Sequence, residues 1–445
     1  MTPHSPKDAP RYKQLYLLSY PIILGQLSQS LTSLIDTVMV AALDDSAALA
    51  AVAIGSYASF LACALVLGFS VSVQALVARQ EGKGSSHEGI KILNAGMQLS
   101  FVTGLLLTLF FYYFAPELIQ LLNKDPLVIQ HATEYFRYRC LGITALACAF
   151  VCRGYWNGKK KTRLTLYILL LSQSTNILTS YGFIFGSFGF PKLLAPGSGL
   201  GSSLGYIVGA CCYVFISYRK QWRQLFQLQA KENYRRVIQL GLPSSAQQFS
   251  VALGMSVFYY YLGLAGVDSL AIGHALINIA LFITLPAHGF GIATTTLVSH
   301  AIGQGQLRHA YLWGWHSIQY AMPILVSLSL LLWAFPQEIT HLFMPNQVII
   351  YELAKTPILL TSLLVLVQSI VTLLSQALLG AGQNKKVLQI TTCTQWLFFL
   401  PCTALAVSVF NAGISILWGI QILDRLLQLL IFCYFWYKQQ WLKAL

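Results

Sequence analysis

Only 9% of the 445 residues are Asp, Glu, Lys or Arg, so a charged side chain inside a long apolar stretch is a candidate for chemistry. Asp36, Asp424 and Arg425 are such residues, and His288 adds a group that titrates near neutral pH. A carboxylate inside a membrane is costly and is retained for function by default. It can take up and release a proton, or offer the hard oxygen that a sodium ion prefers. On a helix Gln29, Thr32 and Ser33 share the face of Asp36, seven, four and three residues before it. The structural alternative is a carboxylate capping a neighbouring helix. Fifteen residues before Asp36, Pro21 removes a backbone donor and crowds the preceding turn. The result is either a bend that responds to the charge on Asp36 or a static kink.

His288 suits a proton relay, or a buried neutral imidazole held by a hydrogen bond. Asp424 and Arg425 are consecutive and point about 100° apart on a helix. Each is therefore expected to find its partner on another helix. Arg137 and Arg139, beside Glu134, read as side chains that snorkel to a membrane interface. Tyr57, Tyr259, Tyr260 and Phe282 could line an aromatic cavity for organic cations, or simply pack. No Walker sequence, dinucleotide fingerprint or nucleophile elbow is present, so neither an enzyme nor a cofactor is expected. The nine cysteines lack metal-ligand spacing and read as small buried hydrophobes.

These residues have to be positioned by membrane-spanning helices. With 56% hydrophobic residues the chain lacks the polar surface of a soluble protein. Twelve apolar segments are long enough to span a bilayer core: about 14–42, 49–78, 92–114, 130–152, 164–187, 199–218, 237–263, 268–300, 311–334, 355–379, 387–409 and 413–437. The net charge of +14 invites a nucleic-acid partner. However, the Lys and Arg residues alternate between crowded loops, such as Lys159, Lys160 and Lys161, and sparse ones, such as that with Lys192. That is the positive-inside pattern, with both termini cytoplasmic, so the charge sets topology and touches lipid head groups. No nucleic acid is expected.

Residues 68–84 match residues 289–305 without a gap, and Pro21, Gln26 and Ser28 match Pro243, Gln248 and Ser250. The chain thus reads as a six-helix lobe 1–218, a basic linker 219–236 and a second six-helix lobe 237–445. An even number of helices per half gives parallel repeats, which imply a transport site between two bundles that rock against each other. A filter-like re-entrant sequence is missing, which argues against a channel.

Several stretches carry a family likeness: Pro21 through Asp36 to Met39, Leu49 to Gly55, Gln80 to Gly84, Asn176, Gly199 to Gly201, and Leu379 to Gln383. Across essentially the whole chain the sequence resembles bacterial multidrug and toxic compound extrusion (MATE) transporters, with NorM-type and DinF-type features. The resemblance implies a monomeric, cation-coupled antiporter in the bacterial inner membrane that exports organic, often cationic, compounds. It marks Asp36 as the essential acid; Gln29 and Ser33, on the same helical face, are read as cavity residues with the aromatics Tyr57, Tyr259 and Phe282. It pairs Asn176 with the place four residues on, where Ser180 stands instead of a second acid. Where branches of the family carry further carboxylates this chain has Val251 and Gln368, which tilts the coupling ion toward a proton over sodium. Near His288 and Arg425 the DinF-type branch shows an acid and an arginine. The alternative function is a flippase for lipid-linked oligosaccharides. It would want a cavity rich in Arg and Lys, whereas the inward-facing positions here read as mostly neutral or acidic.

Overall fold

The computed structural model describes residues 11–43, 45–219, 222–336, 338–339 and 348–444. Among them there are helices and no strands. The helices are α1 (Arg11–Ala41), α2 (Ser46–Gly82), α3 (Ser86–Tyr113), α4 (Ala115–Leu122), α5 (Pro126–Cys140), α6 (Ile143–Gly158), α7 (Thr162–Phe185) and α8 (Ala195–Tyr218). They continue as α9 (Lys231–Leu264), α10 (Val267–Gly303), α11 (Leu307–Ala334), α12 (Val348–Gly380), α13 (Asn384–Cys393), α14 (Leu400–Ser408) and α15 (Ile414–Tyr437).

Local chemistry sets the ends. The Asp45 carboxylate accepts from the Ala47 and Ala48 N–H groups at 2.9 and 3.2 Å and starts α2. Asp125 does the same for α5 at 2.9 and 3.4 Å, with Pro126 at the first position, where a missing N–H costs nothing. Gly186, left-handed at φ 73°, closes α7.

Every one of the twelve apolar segments corresponds to helix. Segment 130–152 is the pair α5 and α6, bent by 45°. Segment 387–409 is α13 and α14 joined by a turn of π-helix, Thr394–Phe399. Among the described residues nine helical stretches are long and apolar enough to cross a membrane, or ten with the bent pair as one span. The other two, α1 and α9, are 31 and 34 residues long but carry too many polar groups to pass on apolarity. They begin the two halves of the repeat. The molecule is an all-α, multi-pass membrane protein.

The chain packs as two compact units, Leu24–Phe249 and Met1–Ile23 with Ser250–Leu445. The divisions fall inside α1, two residues after Pro21, and inside α9, six residues after Pro243. Within 219–236, Trp222–Phe226 forms a 3-10 turn, and residues 220–221 lie outside the described part.

In the unit 24–249 the core is built from Val73, Val77, Leu93, Val151 and Cys152, with Tyr155, Tyr213 and Tyr218. In the other unit, Phe258 lies 5.0 Å from Phe399 and 6.0 Å from Trp418, between ring centroids. The Trp418 Nε1–H donates to Thr361 Oγ1 at 2.9 Å, so the indole is buried without an orphan donor. Residues 11–23 belong to this unit: Tyr16 donates to the Tyr320 carbonyl at 2.6 Å and meets Phe290 edge-on at 5.5 Å.

The cysteines are free. Cys140, Cys148 and Cys152 are buried, but Cys211 and Cys393 are exposed, against the expectation of burial. A membrane helix can leave a small apolar side chain on its outer face without penalty, because lipid is as apolar as the interior.

Candidate functional site

The unit 24–249 encloses a polar cavity of about 130 Å³. Its wall on α1 is Gln29, Thr32, Ser33, Asp36 and Thr37, the face read from helical spacing. Ser56 of α2, Tyr135 and Arg139 of α5, Gln173 and Asn176 of α7, and Ser202 and Tyr206 of α8 complete the polar lining.

Asp36 is 8% exposed, and its Oδ1 is buried with no hydrogen-bond partner. Thr32 and Thr37 donate one turn back to the Ser28 and Ser33 carbonyls, both at 2.9 Å. Their protons are thereby used within α1, which leaves their oxygens as acceptors. On α7 the Ser180 hydroxyl donates to Asn176 Oδ1 at 3.0 Å, and Asn176 Nδ2 donates to Ser202 Oγ at 3.3 Å. The Asp36 carboxylate feels the charge of Arg139 and the hydrogen-bonding influence of Ser180 and Asn176.

Glycines on α8 let the two helices approach closely enough for this. A Cβ at Gly201 would overlap the Ser180 hydroxyl and backbone nitrogen, and one at Gly205 would lie 2.8 Å from the Ser172 carbonyl.

Arg139 is the residue the sequence misplaced. Read as snorkelling outward, it instead turns into the cavity. Its Nη1 donates to Tyr135 Oη at 2.8 Å and Ser202 Oγ at 3.2 Å, and its Nη2 donates to Tyr206 Oη at 3.4 Å. The Tyr135 hydroxyl also shares a hydrogen bond with Ser56 Oγ at 2.8 Å. This correction also puts a positive charge into a wall read as mostly neutral or acidic. The signal was present as spacing: Tyr135 and Arg139, like Ser202 and Tyr206, stand four residues apart and share helical faces. Arg137 does stay at the rim, where its Nε donates to the Tyr112 carbonyl at 3.3 Å.

Other expected residues lie apart from this cavity. Tyr57 is on α2 but is not in the lining. His288, Tyr259 and Phe282 belong to the other unit. His288 precedes Gly289, against which Ile23 packs. Tyr259 lies 6.2 Å from the His274 ring and packs on the core around Phe258.

Asp424 and Arg425 also require correction, because they do pair with each other. Arg425 Nη1 lies 3.7 Å from Asp424 Oδ2, and Gln428 bridges them, donating to Oδ2 and accepting from Nη1, both at 3.0 Å. The Arg side chain is long enough to undo the 100° between neighbours, and Gln428 stands one turn on to close the loop.

The relatives can now be set beside this geometry. The MatE family pattern matches residues 21–182 and again 243–405. The offset, 243 − 21 = 222, is the one that relates Pro21 to Pro243. A protein of Thermotoga maritima named probable multidrug resistance protein NorM is 24% identical over 442 residues, spanning 97% of this chain and 93% of its own. The uncharacterized transporter YisQ of Bacillus subtilis is 22% identical over 448 residues, spanning 98% and 96%.

Among solved structures, a MATE protein in a bent conformation matches with TM-score 0.87 at 19% identity, over 97% of this chain and 96% of its own. A MOP superfamily transporter of Pyrococcus furiosus, described as having a binding pocket of reverse polarity, matches with TM-score 0.87 at 19% identity, over 96% and 95%. These likenesses concern the fold. The family pattern, falling twice and in register with the repeat over the greater part of the sequence, establishes that the chain belongs to the MatE family of membrane transporters.

Proposed function

We propose that this chain is a cation-coupled multidrug antiporter, working by alternating access, that exports organic and often cationic compounds across the bacterial cytoplasmic membrane, with both termini cytoplasmic. The observation that carries the proposal is the buried, unpartnered carboxylate oxygen of Asp36 in a cavity lined with polar side chains. Every ligand the cavity offers is a hard oxygen, which suits a proton or a sodium ion and no softer metal. Two features favour the proton. Ser180 supplies a hydroxyl where a second carboxylate would complete a sodium cage, and the fixed positive charge of Arg139 opposes a second cation.

In this mechanism Asp36 accepts the coupling proton from the outer side and becomes neutral. The Asn176–Ser180–Ser202 hydrogen bonds hold α7 and α8 in place while the charge on α1 changes. Because α1 runs unbroken from Asp36 through Pro21 into the second unit, a change in its outer half is passed along the helix itself. Release of the proton to the cytoplasm restores the carboxylate. The relatives' names support multidrug substrates over lipid-linked oligosaccharides.

The test is efflux of ethidium from proteoliposomes under proton and sodium gradients imposed separately. A proton gradient should drive efflux, and Asp36→Asn should abolish it. Gradient-driven efflux that survives intact in Asp36→Asn would overturn the assignment of Asp36. Efflux driven by sodium alone would reverse the assigned ion.

A further inference from the structure

We infer that Arg139 is a substrate-recognition residue that binds a carboxylate, so that the Asp36 cavity has two opposite poles and selects organic compounds carrying a carboxylate beside a cationic group. This rests on the transport reading above and adds the chemical class that this cavity prefers.

Asp36 and Arg139 line the same small cavity, yet they do not form an ion pair. Ion pairs among the described residues include Lys91–Glu88, Lys159–Glu81, Arg236–Glu232 and Arg425–Asp424. A guanidinium in a membrane interior would ordinarily be neutralised by a carboxylate. The partners of Arg139 are instead three neutral hydroxyls, those of Tyr135, Ser202 and Tyr206. These hold its orientation without cancelling its charge.

They also leave one edge of the guanidinium open. Nη1 makes two bonds and Nη2 a single one at 3.4 Å, while Nε–H has no partner among the described residues, so N–H groups of the fork remain free. A carboxylate is the group whose two oxygens suit such a fork. The opposite pole keeps one oxygen open, since Asp36 Oδ1 is buried and unpartnered while Ser180 and Asn176 bear on the rest of the carboxylate. With room for about four waters, the cavity takes the ionised end of a compound rather than the whole of it. A permanent cation can satisfy only Asp36 and leaves Arg139 facing a second positive charge. A carboxylate-bearing cation satisfies both poles. Protonation of Asp36 then removes one of the two attachments, which ties loading to the coupling step.

The experiment compares rhodamine B, which carries a free carboxylate and a cationic xanthene, with rhodamine B ethyl ester, in which only the carboxylate is masked. Binding to the purified full-length chain in detergent at neutral pH is followed by fluorescence anisotropy, referenced to protein-free micelles. Rhodamine B should bind about tenfold more tightly. The ester is the more apolar dye, so burial alone would favour it and works against the expected result. Arg139→Gln should abolish the preference, and Arg139→Lys, which keeps the charge but not the fork, should retain part of it. Equal or tighter binding of the ester by the unmodified chain overturns the inference and leaves the transport reading standing. Failure of both dyes to bind also overturns the inference, and the transport reading is decided separately by the ethidium efflux experiment. Because the unmodified chain decides the matter, a variant that fails to fold does not leave it open.

Discussion

Among the described residues each unit buries one carboxylate with an unpartnered Oδ1, and the two differ in what surrounds them. In the unit of residues 24–249, Asp36 sits 8% exposed on a cavity wall with an oxygen that nothing binds, and the cavity's one arginine is held by hydroxyls instead. In the other unit, Asp424 is fully buried against Arg425 with Gln428 closing the group. Both acids cost solvation energy. At Asp424 the protein offsets part of that cost at Oδ2, with a charge and a hydrogen bond from the same helix, and leaves Oδ1 without a partner. At Asp36 the unpartnered oxygen belongs to a carboxylate that lines a polar cavity into which a ligand fits. Similar helical chemistry therefore gives a structural group in one place and a receptive one in the other.

The contrast makes predictions that differ in kind. The largest concerns Asp36→Asn: gradient-driven efflux should fall to background while the thermal midpoint in detergent stays the same or rises, since an isosteric amide removes an uncompensated charge. A marked loss of stability would mean that Asp36 is structural too. Next, Asp424→Leu should lower unfolding stability by about 3 kcal/mol, because it strands the Arg425 guanidinium. The double variant Asp424→Leu with Arg425→Met should recover most of that loss in the same denaturation experiment. If the double variant is no better than the single, the pair is not what matters there.

A smaller effect is expected at the α7–α8 contact. Gly201→Ala places a methyl group on the Ser180 backbone and should cost about 2 kcal/mol, with reduced efflux, because Asn176 and Ser202 can no longer meet. The smallest effect is at His288, which lies outside the Asp36 cavity: His288→Gln should leave proton-driven efflux at the unmodified rate. A loss there would show that the second unit shares in coupling and would weaken the contrast.

Much of the cavity was legible in the sequence because one helix carries it. Gln29, Thr32, Ser33 and Asp36 recur at helical spacing, and a helix cannot place them on different faces. The spans and the repeat were legible for the same reason, since length and apolarity act locally. What required the structure was direction across helices. Arg139 near the end of a segment reads as an interface residue because its face is decided by Tyr135, Ser202 and Tyr206, which come from packing. The Asp424–Arg425 pair was missed because backbone geometry says where side chains start, not how far a long one reaches. The π-helical turn at Thr394–Phe399 was hidden within a segment that reads as one continuous span.

The division of α1 after Ile23 also bears on the order in which the molecule can be made. A ribosome delivers residues 24–249 as one uninterrupted stretch, and that unit can close as soon as it is complete. Residues 11–23 leave the ribosome before that unit but find their partners, Tyr320 and Phe290 among them, only in the second half. This segment thus waits for its contacts until the second half is made. Its docking is a late step in assembly, of the long-range kind that slows folding.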